Sequence, residues 1–209
     1  SISFEYSDPS VELKGLQQDM TFTLIPEYVH DGSGTYIPAK VEWKSSAPGI
    51  ATVDADGNVT AVVENIDNYG LSNGKDFVIT LIVDGRKEKS VEFTVVKAQP
   101  KEIVIKSMPS VDGVEGRMMH GESFVFETEV LPAKAIQAVA FYMTDPDGGF
   151  KTCGNTFEAA KVGTYNFTAY VETGSGTGDS SIETVQKHFS IEVLPVRITD
   201  MAMTYASLD

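Results

Sequence analysis

Cysteine, histidine and tryptophan are scarce in this chain of 209 residues, which has one, three and one of them respectively. The single cysteine, Cys153, excludes a disulfide within the chain, and we interpret it as a small apolar side chain rather than a nucleophile. His30, His120 and His188 stand apart, without the spacing of metal ligands. No nucleophile elbow, phosphate loop or zinc motif is present. The sequence therefore predicts neither an enzyme nor a bound cofactor.

Basic residues are also few. The chain has 16 lysines and arginines and 30 acidic residues, which gives a net charge of -14. The excess of acidic residues is evenly distributed, since residues 1–98 and residues 99–209 each contain fifteen acidic and eight basic residues. Such a surface repels phosphate, so we expect neither nucleic acid nor anionic membranes as partners. Such an acidic surface also keeps a secreted protein soluble. Binding of calcium at a junction between domains is the alternative explanation of the acidic residues. No apolar run approaches the roughly 20 residues of a spanning helix, so any signal peptide or anchor is expected outside this segment.

Helical periodicity is missing as well, and apolar residues alternate with polar ones instead. Phe22 and Leu24 share one face of a short strand, and every second residue from 77 to 83 is apolar. Turn sequences such as Asp84-Gly85 separate the strands. About seven short strands punctuated in this way predict an all-β, antiparallel sandwich.

The pattern of strands and turns repeats once, at an offset of about 100 residues, which is the size of one sandwich. Residues 23–26, a strand ended by a proline, correspond to residues 129–132. We therefore predict one domain over residues 1–98 and a second over 99–195, joined by a short linker that contains a proline. Residues 196–209 would start a further domain or form a tail.

Residues 41–62 carry the most specific pattern in the chain. Trp43 and the serines after it precede a proline, an alanine-threonine-valine-aspartate strand, a turn at Gly57 and a second short strand. This arrangement closely resembles the bacterial Ig-like domains of group 2, over about residues 11–96. The second half resembles a divergent bacterial Ig-like or polycystic-kidney-disease-like domain, mainly through residues 163–169. The resemblance implies two tandem Ig-like antiparallel β-sandwiches in an extracellular or cell-surface bacterial protein.

Three aromatic residues are predicted to be structural. Trp43 alternates with polar residues in a strand, and Phe141 takes the corresponding place in the second half, so both should fill the space between sheets. With Trp43 buried between the sheets, Trp43→Ala should cost about 3–5 kcal/mol of folding free energy. Tyr165 follows a glycine near the start of a strand, where Ig-like folds place a tyrosine corner.

Two acidic turns look like calcium loops but lack a required ligand. Counting from Asp54, the twelfth position is Asn65 rather than the glutamate of a calcium loop, so residues 54–58 are predicted to form a hairpin turn. Residues 145–149 fit a turn equally well. Residues 118–120, two methionines and a histidine, are expected in a loop. Binding of a soft metal is the alternative there, but incidental or gap-filling side chains are the favoured interpretation. No catalytic, cofactor-binding or metal-binding residue is therefore predicted.

The function that these observations favour is mechanical rather than chemical. We expect a non-enzymatic tandem Ig-like segment of a bacterial surface or secreted protein, in cell adhesion or as a spacer that presents a binding domain. Its partner would be a protein or glycan on a host or neighbouring surface, and the segment would be monomeric. The alternative is a carbohydrate-binding or accessory module of a polysaccharide-processing system, which needs Tyr28, Tyr36 and Tyr69 in an exposed coplanar row. Loops at residues 65–74 and 174–181 are the first places to look for ligand contacts.

Overall fold

Two compact units make up the chain, and nearly all of their regular structure is β-strand, which confirms the all-β prediction. The computed structural model describes residues 1–29, 36–173 and 183–197. The first unit comprises Ser1–Glu102, Val130–Gln137 and Val171–Val185, and the second comprises Ile103–Glu129, Ala138–Tyr170 and Gln186–Asp209. Domain bounds at residues 98 and 195 stay a prediction. No helix among the described residues is both long and apolar enough to cross a bilayer.

Two four-stranded sheets build the first unit. Their strands are β1 (Ile2–Tyr6), β2 (Leu16–Gln17), β3 (Thr21–Tyr28), β4 (Val41–Ser45), β5 (Ala51–Val53), β6 (Asn58–Ala61), β7 (Lys75–Val83) and β8 (Lys87–Val96). One sheet has the strand order β1-β3-β6-β5 and the other has the order β2-β8-β7-β4. Neighbouring strands are antiparallel, except that β2 runs parallel to β8.

Apolar side chains from both sheets meet in one core, as the period-two pattern predicts. Phe22 and Leu24 on β3 are buried, and so is every second residue of β7 from Phe77 to Val83. Between the sheets, the ring centres of Phe22 and Phe93 lie 5.0 Å apart, edge to face. The first unit is therefore an antiparallel sandwich, because each sheet buries one face against the other.

The alternation of the sequence gives no sign of the short helix α1 (Ser10–Lys14). This helix starts where the Asp8 carboxylate accepts hydrogen bonds from the Ser10 N–H at 3.0 Å and from the Ser10 hydroxyl at 2.6 Å. Its Val11 side chain is buried in the core. Five residues are too few for a periodic pattern, so tertiary packing rather than sequence period decides the conformation. A 3-10 turn spans Leu71–Asn73.

The expected strand end at Pro26 is wrong, because β3 continues to Tyr28. Pro26 pairs with Phe4 of β1, whereas β6 pairs with β3 only over residues 21–23. Two residues before Pro26, the N–H of Leu24 points away from β1 and donates to the Gly57 carbonyl at 2.9 Å. The nitrogen of Pro26 points the same way, to the side where β6 has ended, so its missing N–H costs no ladder hydrogen bond.

Trp43 lies on β4 opposite Leu81 of β7 and packs against the core of the first unit. Its ring centre is 5.8 Å from that of Phe4 on the other sheet. The predicted position between the sheets is thus confirmed. The indole is partly rather than fully buried, however, which corrects the expected degree of burial.

We expect Trp43→Ala to destabilise the first unit by about 3 kcal/mol, the lower end of the range for a buried tryptophan, because part of the indole already meets water. Trp43 is the sole tryptophan, so its native emission should be blue-shifted and should redden on unfolding. Urea unfolding of wild type and variant, followed by circular dichroism, measures the cost. Native emission at the wavelength of free tryptophan would contradict this packing.

A five-stranded sheet dominates the second half of the chain. The strands there are β9 (Glu102–Ile105), β10 (Ser110–Val111), β11 (Val114–Glu115), β12 (Arg117–Met119), β13 (Ser123–Val125), β14 (Thr128–Leu131), β15 (Ala140–Thr144), β16 (Phe150–Cys153), β17 (Thr156–Glu158), β18 (Gly163–Thr173) and β19 (Glu183–Leu194). The large sheet has the order β12-β19-β18-β15-β16, and β9-β14, β10-β11 and β13-β17 form two-stranded sheets. β12 runs parallel to β19, as β2 runs parallel to β8.

Phenylalanine rings fill the core of the second unit. The ring centre of Phe126 lies 5.4 Å from that of Phe141 and 5.2 Å from those of Phe167 and Phe189. Phe157 on β17 approaches Phe167 on β18 at 5.0 Å. Phe141 is buried, which confirms its predicted structural role.

Tyr165 and Met118 are buried in this unit as well. The Tyr165 hydroxyl accepts a hydrogen bond from the N–H of Lys161 at 3.0 Å, four residues upstream, which confirms the predicted tyrosine corner. The expectation of a loop around Met118 is wrong, because this residue lies in β12, paired with β19. β12 is three residues long, too short for an alternating pattern to stand out in the sequence.

Candidate functional site

The turn at Asp54 joins β5 to β6 as a hairpin, as predicted. One carboxylate oxygen of Asp54 accepts hydrogen bonds from the N–H groups of Asp56 and Asn58, both at 2.9 Å. The other oxygen accepts from the Asn58 side chain at 2.8 Å. The hydrogen bond from the Asn58 side chain is the main cause that holds the pKa of Asp54 below its usual value. This carboxylate is therefore used within its own turn.

The turn at Asp145, between β15 and β16, repeats this arrangement. One oxygen of Asp145 accepts hydrogen bonds from the N–H groups of Asp147 at 3.0 Å and Gly149 at 2.7 Å. The Lys161 ammonium donates to Asp145 at 3.0 Å and to Asp147 at 2.6 Å. Both acidic segments are thus structural turns. Among the described residues, no three acidic, histidine or cysteine side chains converge on a position that could hold a metal ion.

We expect acid to lower the free energy of unfolding of the second unit, because it protonates the Asp145 carboxylate. Hydrogen bonds from Lys161 and then from the Gly149 N–H hold the pKa of this carboxyl below its usual value. The folded unit therefore binds the proton less readily than the unfolded chain does. The resulting stabilisation is complete above about pH 4, the ordinary aspartate pKa, and is lost as the pH falls through the lower pKa of the folded state.

Asp145→Asn should accordingly melt at a lower temperature than the wild type at neutral pH, and the difference should shrink in acid. Differential scanning calorimetry between about pH 7 and pH 2 measures this convergence. Asp147→Asn is the matched control, because it removes a second partner of Lys161 and leaves the Asp145 carboxylate in place. Melting curves of Asp145→Asn and wild type that stay equally far apart over the whole pH range would refute the assignment.

The three candidate tyrosines do not form an exposed coplanar row. Tyr28 and Tyr36 meet edge to face, with ring centres 6.5 Å apart and planes at 74°, and the Tyr36 hydroxyl donates to Asp84. The Tyr69 hydroxyl accepts a hydrogen bond from the Ile136 N–H at 3.2 Å. All three tyrosines are partly buried. The platform that the carbohydrate alternative requires is therefore not built from these residues.

The histidines that the structure describes have structural partners. Nδ1 of His188 lies 2.8 Å from the hydroxyl oxygen of Thr168, and Nε2 of His120 lies 3.2 Å from the carbonyl oxygen of Ala160. His30 lies outside the described residues. These contacts attach each of the two rings to a neighbouring element rather than to another metal-ligating side chain.

Cys153 and the candidate loop that lies within the described residues, at 65–74, give no sign of a reactive centre. Cys153 is half-buried on β16, and burial raises the pKa of its thiol, which disfavours the nucleophilic thiolate. In the loop at residues 65–74, the Asn73 side chain donates to the Tyr69 carbonyl at 2.7 Å and so stabilises the loop itself. The loop at residues 174–181 lies outside the described residues.

Three aromatic side chains line up across the outer face of the five-stranded sheet. Phe150 on β16, Tyr142 on β15 and Tyr170 on β18 follow one another, with ring centres 5.2 Å and then 5.9 Å apart. Adjacent ring planes are tilted by 40° and 47°. Phe150 is 64% exposed, and the two tyrosines are partly buried. We call these three residues the aromatic strip.

Uncharged polar side chains border the aromatic strip. Thr152 of β16 and Thr168 of β18 lie opposite Tyr142 on the two neighbouring strands. Thr168 also forms the hydrogen bond to His188 of β19. Thr168 is only 6% exposed although it lies on the outer face, so the surrounding side chains cover it. Hydroxyl groups and an imidazole thus lie beside the rings on this face of the sheet.

The sequence contains a sign of this strip in the parity of β15. Phe141 and Tyr142 are adjacent and so point to opposite faces, which means that a buried Phe141 requires an outward Tyr142. The turn after β15 sets Phe150 opposite Thr144, on the same face as Tyr142. Tyr142 and Tyr170 lie within paired strands and away from the loops, where ligand contacts were expected.

The first unit combines the features that residues 41–62 predict: Trp43 against the core, and a β5–β6 hairpin closed at Gly57. Residues 1–66 match the bacterial Ig-like domain family, group 2. The group 2 match runs from β1 through β6 and ends before β7. Domains of this family are typically non-catalytic and extracellular or surface-associated. No curated protein sequence is recognisably related to this chain.

Solved structures of similar architecture are distant from this chain. Domains 4 and 5 of the S-layer protein SbsC are 16% identical, with a TM-score of 0.31 over 85% of this chain and 82% of that chain. The amphioxus IgVJ-C2 molecule is 16% identical, with a TM-score of 0.31 over 91% and 87%. The insect immune protein hemolin is 10% identical, with a TM-score of 0.38 over 87% and 44%. This chain spans 24% of a structure of SbsC domains 1–6, and at these scores none of the likenesses supports a function.

Proposed function

We propose that this chain is a non-enzymatic segment of a bacterial surface or secreted protein, and that it acts in cell adhesion or as a spacer that presents a binding domain. The observation that carries the proposal is the match of residues 1–66 to the group 2 Ig-like family, whose domains are typically non-catalytic and extracellular or surface-associated. The sandwich of the first unit supports it, because two sheets packed around an apolar core give the stiffness that a spacer or an adhesive segment needs.

The chemistry of the candidate residues supports a role without catalysis. The carboxylates of Asp54 and Asp145 accept hydrogen bonds within their own turns. The ammonium group of Lys161 is paired with two carboxylates. Burial raises the pKa of the Cys153 thiol, which disfavours the reactive thiolate. The three charged groups thus have structural roles, and a surface segment requires no other from them.

The partner that we propose is a protein or a glycan on a host cell or a neighbouring bacterial surface, with the segment acting as a monomer. The net charge of -14 favours such a partner over nucleic acid and over anionic bilayers, both of which it repels.

Surface display of the native protein tests this proposal. An antibody raised against the purified chain should label intact cells of the source bacterium, or should detect the protein in the culture medium. Fluorescently labelled chain, added to host cells and to neighbouring bacteria, then separates the two roles, since adhesion requires retention on cells and a spacer does not. An antibody against a cytoplasmic protein of the same bacterium is the control for leakage. Labelling that appears only after permeabilisation would refute the proposal.

A further inference from the structure

We propose that the outer face of the sheet β16-β15-β18-β19, centred on the aromatic strip, is a binding site for an uncharged polysaccharide. The site consists of Phe150, Tyr142 and Tyr170 with Thr152, Thr168 and His188 around them. It uses none of the three tyrosines that the carbohydrate alternative first suggested.

The aromatic strip supplies the apolar half of such a site. Phe150 leaves 64% of its surface exposed and contacts Tyr142, which in turn contacts Tyr170. Phe150 is mostly exposed and the rings of Tyr142 and Tyr170 are partly exposed, so the strip gives this face an apolar surface with polar groups at its border. A sugar ring has an apolar face of C–H groups, and a row of aromatic rings offers that face an apolar surface to lie against.

The border of the strip supplies the polar half. Hydroxyls of Thr152, Tyr142 and Tyr170 both donate and accept hydrogen bonds. The hydroxyls of a sugar need partners of this kind, because each sugar hydroxyl also donates and accepts. Threonine beside tyrosine therefore matches the alternation of C–H surface and hydroxyl rim on a polysaccharide.

The absence of charge at the centre of the face determines the class of ligand. Within a chain of net charge -14, the six residues of the site contain no carboxylate, lysine or arginine. Along β18 the first outward carboxylate is Glu172, two residues beyond Tyr170, and Glu192 on β19 is paired with Arg117 at 2.7 Å. A basic protein or a cation would find no counter-charge among these side chains, and an anionic polymer would find no arginine or lysine.

The corresponding sheet of the first unit shows that this composition is specific to one face. In that sheet Ile82 of β7 has Glu42 and Glu88 as its neighbours across β4 and β8. Lys44 lies opposite Thr80, further along the same face. Charged residues therefore lie at the centre of the outer face of one sheet, while aromatic and hydroxyl residues lie at the centre of the other.

Affinity electrophoresis in gels that contain one polysaccharide each tests the proposal. The probes are neutral polymers (β-glucan, xylan, mannan and pullulan), with polygalacturonate and heparin as charged comparisons. We expect the wild-type chain to be retarded by at least one neutral polymer and by neither charged one. Tyr142→Ala and Phe150→Ala should each weaken that binding by about tenfold or more, since truncation of a central aromatic contact costs upwards of 1–2 kcal/mol.

Two further variants, together with the stability of Phe150→Ala, separate binding from folding. Tyr28→Ala removes a partly buried tyrosine of the first unit and should bind like the wild type. Tyr142→Phe keeps the ring and should lose less affinity than Tyr142→Ala. Phe150→Ala removes an exposed side chain, so its circular dichroism and melting temperature should match those of the wild type and any lost binding reports the site.

Three results would overturn the proposal. They are retardation by no neutral polymer, binding that survives in both alanine variants, and binding confined to the charged polymers. Sedimentation that shows a dimer of the wild type and a monomer of Phe150→Ala would assign the face to protein association instead. Because every arm uses purified protein, the outcome does not depend on whether the native protein is displayed on cells.

Discussion

Replacing Gly57 with alanine is expected to destabilise the first unit by about 3 kcal/mol, through a left-handed backbone that disfavours a side chain and through overpacking. Gly57 has φ +85°, and a Cβ atom there would lie 2.6 Å from the carbonyl oxygen of Leu24 and 3.0 Å from Cζ2 of Trp43. The turn cannot retreat easily, because the Gly57 carbonyl accepts the Leu24 N–H at 2.9 Å. Trp43 fluorescence during urea unfolding reports the loss in this unit.

Gly85→Ala is the matched control for this substitution. Gly85 also sits in a hairpin of the first unit with positive φ, at +66°, but a Cβ atom added there would have nothing within 4 Å. Gly85→Ala should therefore lower the free energy of unfolding only by the cost of a side chain at positive φ, about 1–2 kcal/mol. Equal losses in the two variants would show that the contacts with Leu24 and Trp43 contribute nothing.

Phe126→Ala is expected to destabilise the second unit by about 3–5 kcal/mol, the range for truncating a phenylalanine in a packed core. The Phe126 side chain is 2% exposed and contacts the rings of Phe141, Phe167 and Phe189. Its removal leaves a cavity between side chains from several strands, which cannot all close in on it. Hydrogen exchange of the amides of β18 should speed up accordingly, and calorimetry should show a lower melting temperature.

Phe150→Ala provides the comparison within the same unit. Its ring is mostly exposed, so the free energy of unfolding should change by no more than about 0.5 kcal/mol. A loss for Phe126→Ala as small as that for Phe150→Ala would mean that the core tolerates the cavity. A large loss for Phe150→Ala would mean that the aromatic strip is structural.

The parts of the fold that follow from side-chain parity were predictable from sequence. Phe22, Leu24 and the alternate residues from Phe77 to Val83 point inward because strands have a period of two and one face of each sheet is buried. The Asp84-Gly85 turn was predictable for a different reason, since both residues have positive φ, at 52° and 66°, which aspartate and glycine tolerate. Tyr165 followed from its place after a glycine at a strand start.

Other parts depend on partners that lie far away in sequence. Pro26 is tolerated inside β3 only because β6 ends before reaching it, and Met118 is buried because three residues of β12 pair with β19. The aromatic strip arises only when β15 pairs with both β16 and β18, so that Phe150 and Tyr170 reach Tyr142. Registers between strands are not visible in local patterns, and this is why the strip was not predicted.

The parallel pairs β2–β8 and β12–β19 have a consequence when the chain is stretched. Tension that reaches the start of the first strand and the end of the second strand of such a pair draws the two strands in opposite directions along their length. The bonds between Leu16–Gln17 and the residues opposite, Val95 and Val96, are then sheared together, whereas a hairpin pulled at its open end loses its bonds one at a time. Arg117–Met119 meets β19 in the same way. Resistance to pulling depends on the rate of forced opening rather than on equilibrium stability. Each unit contains a parallel strand pair, and its shear geometry slows that opening.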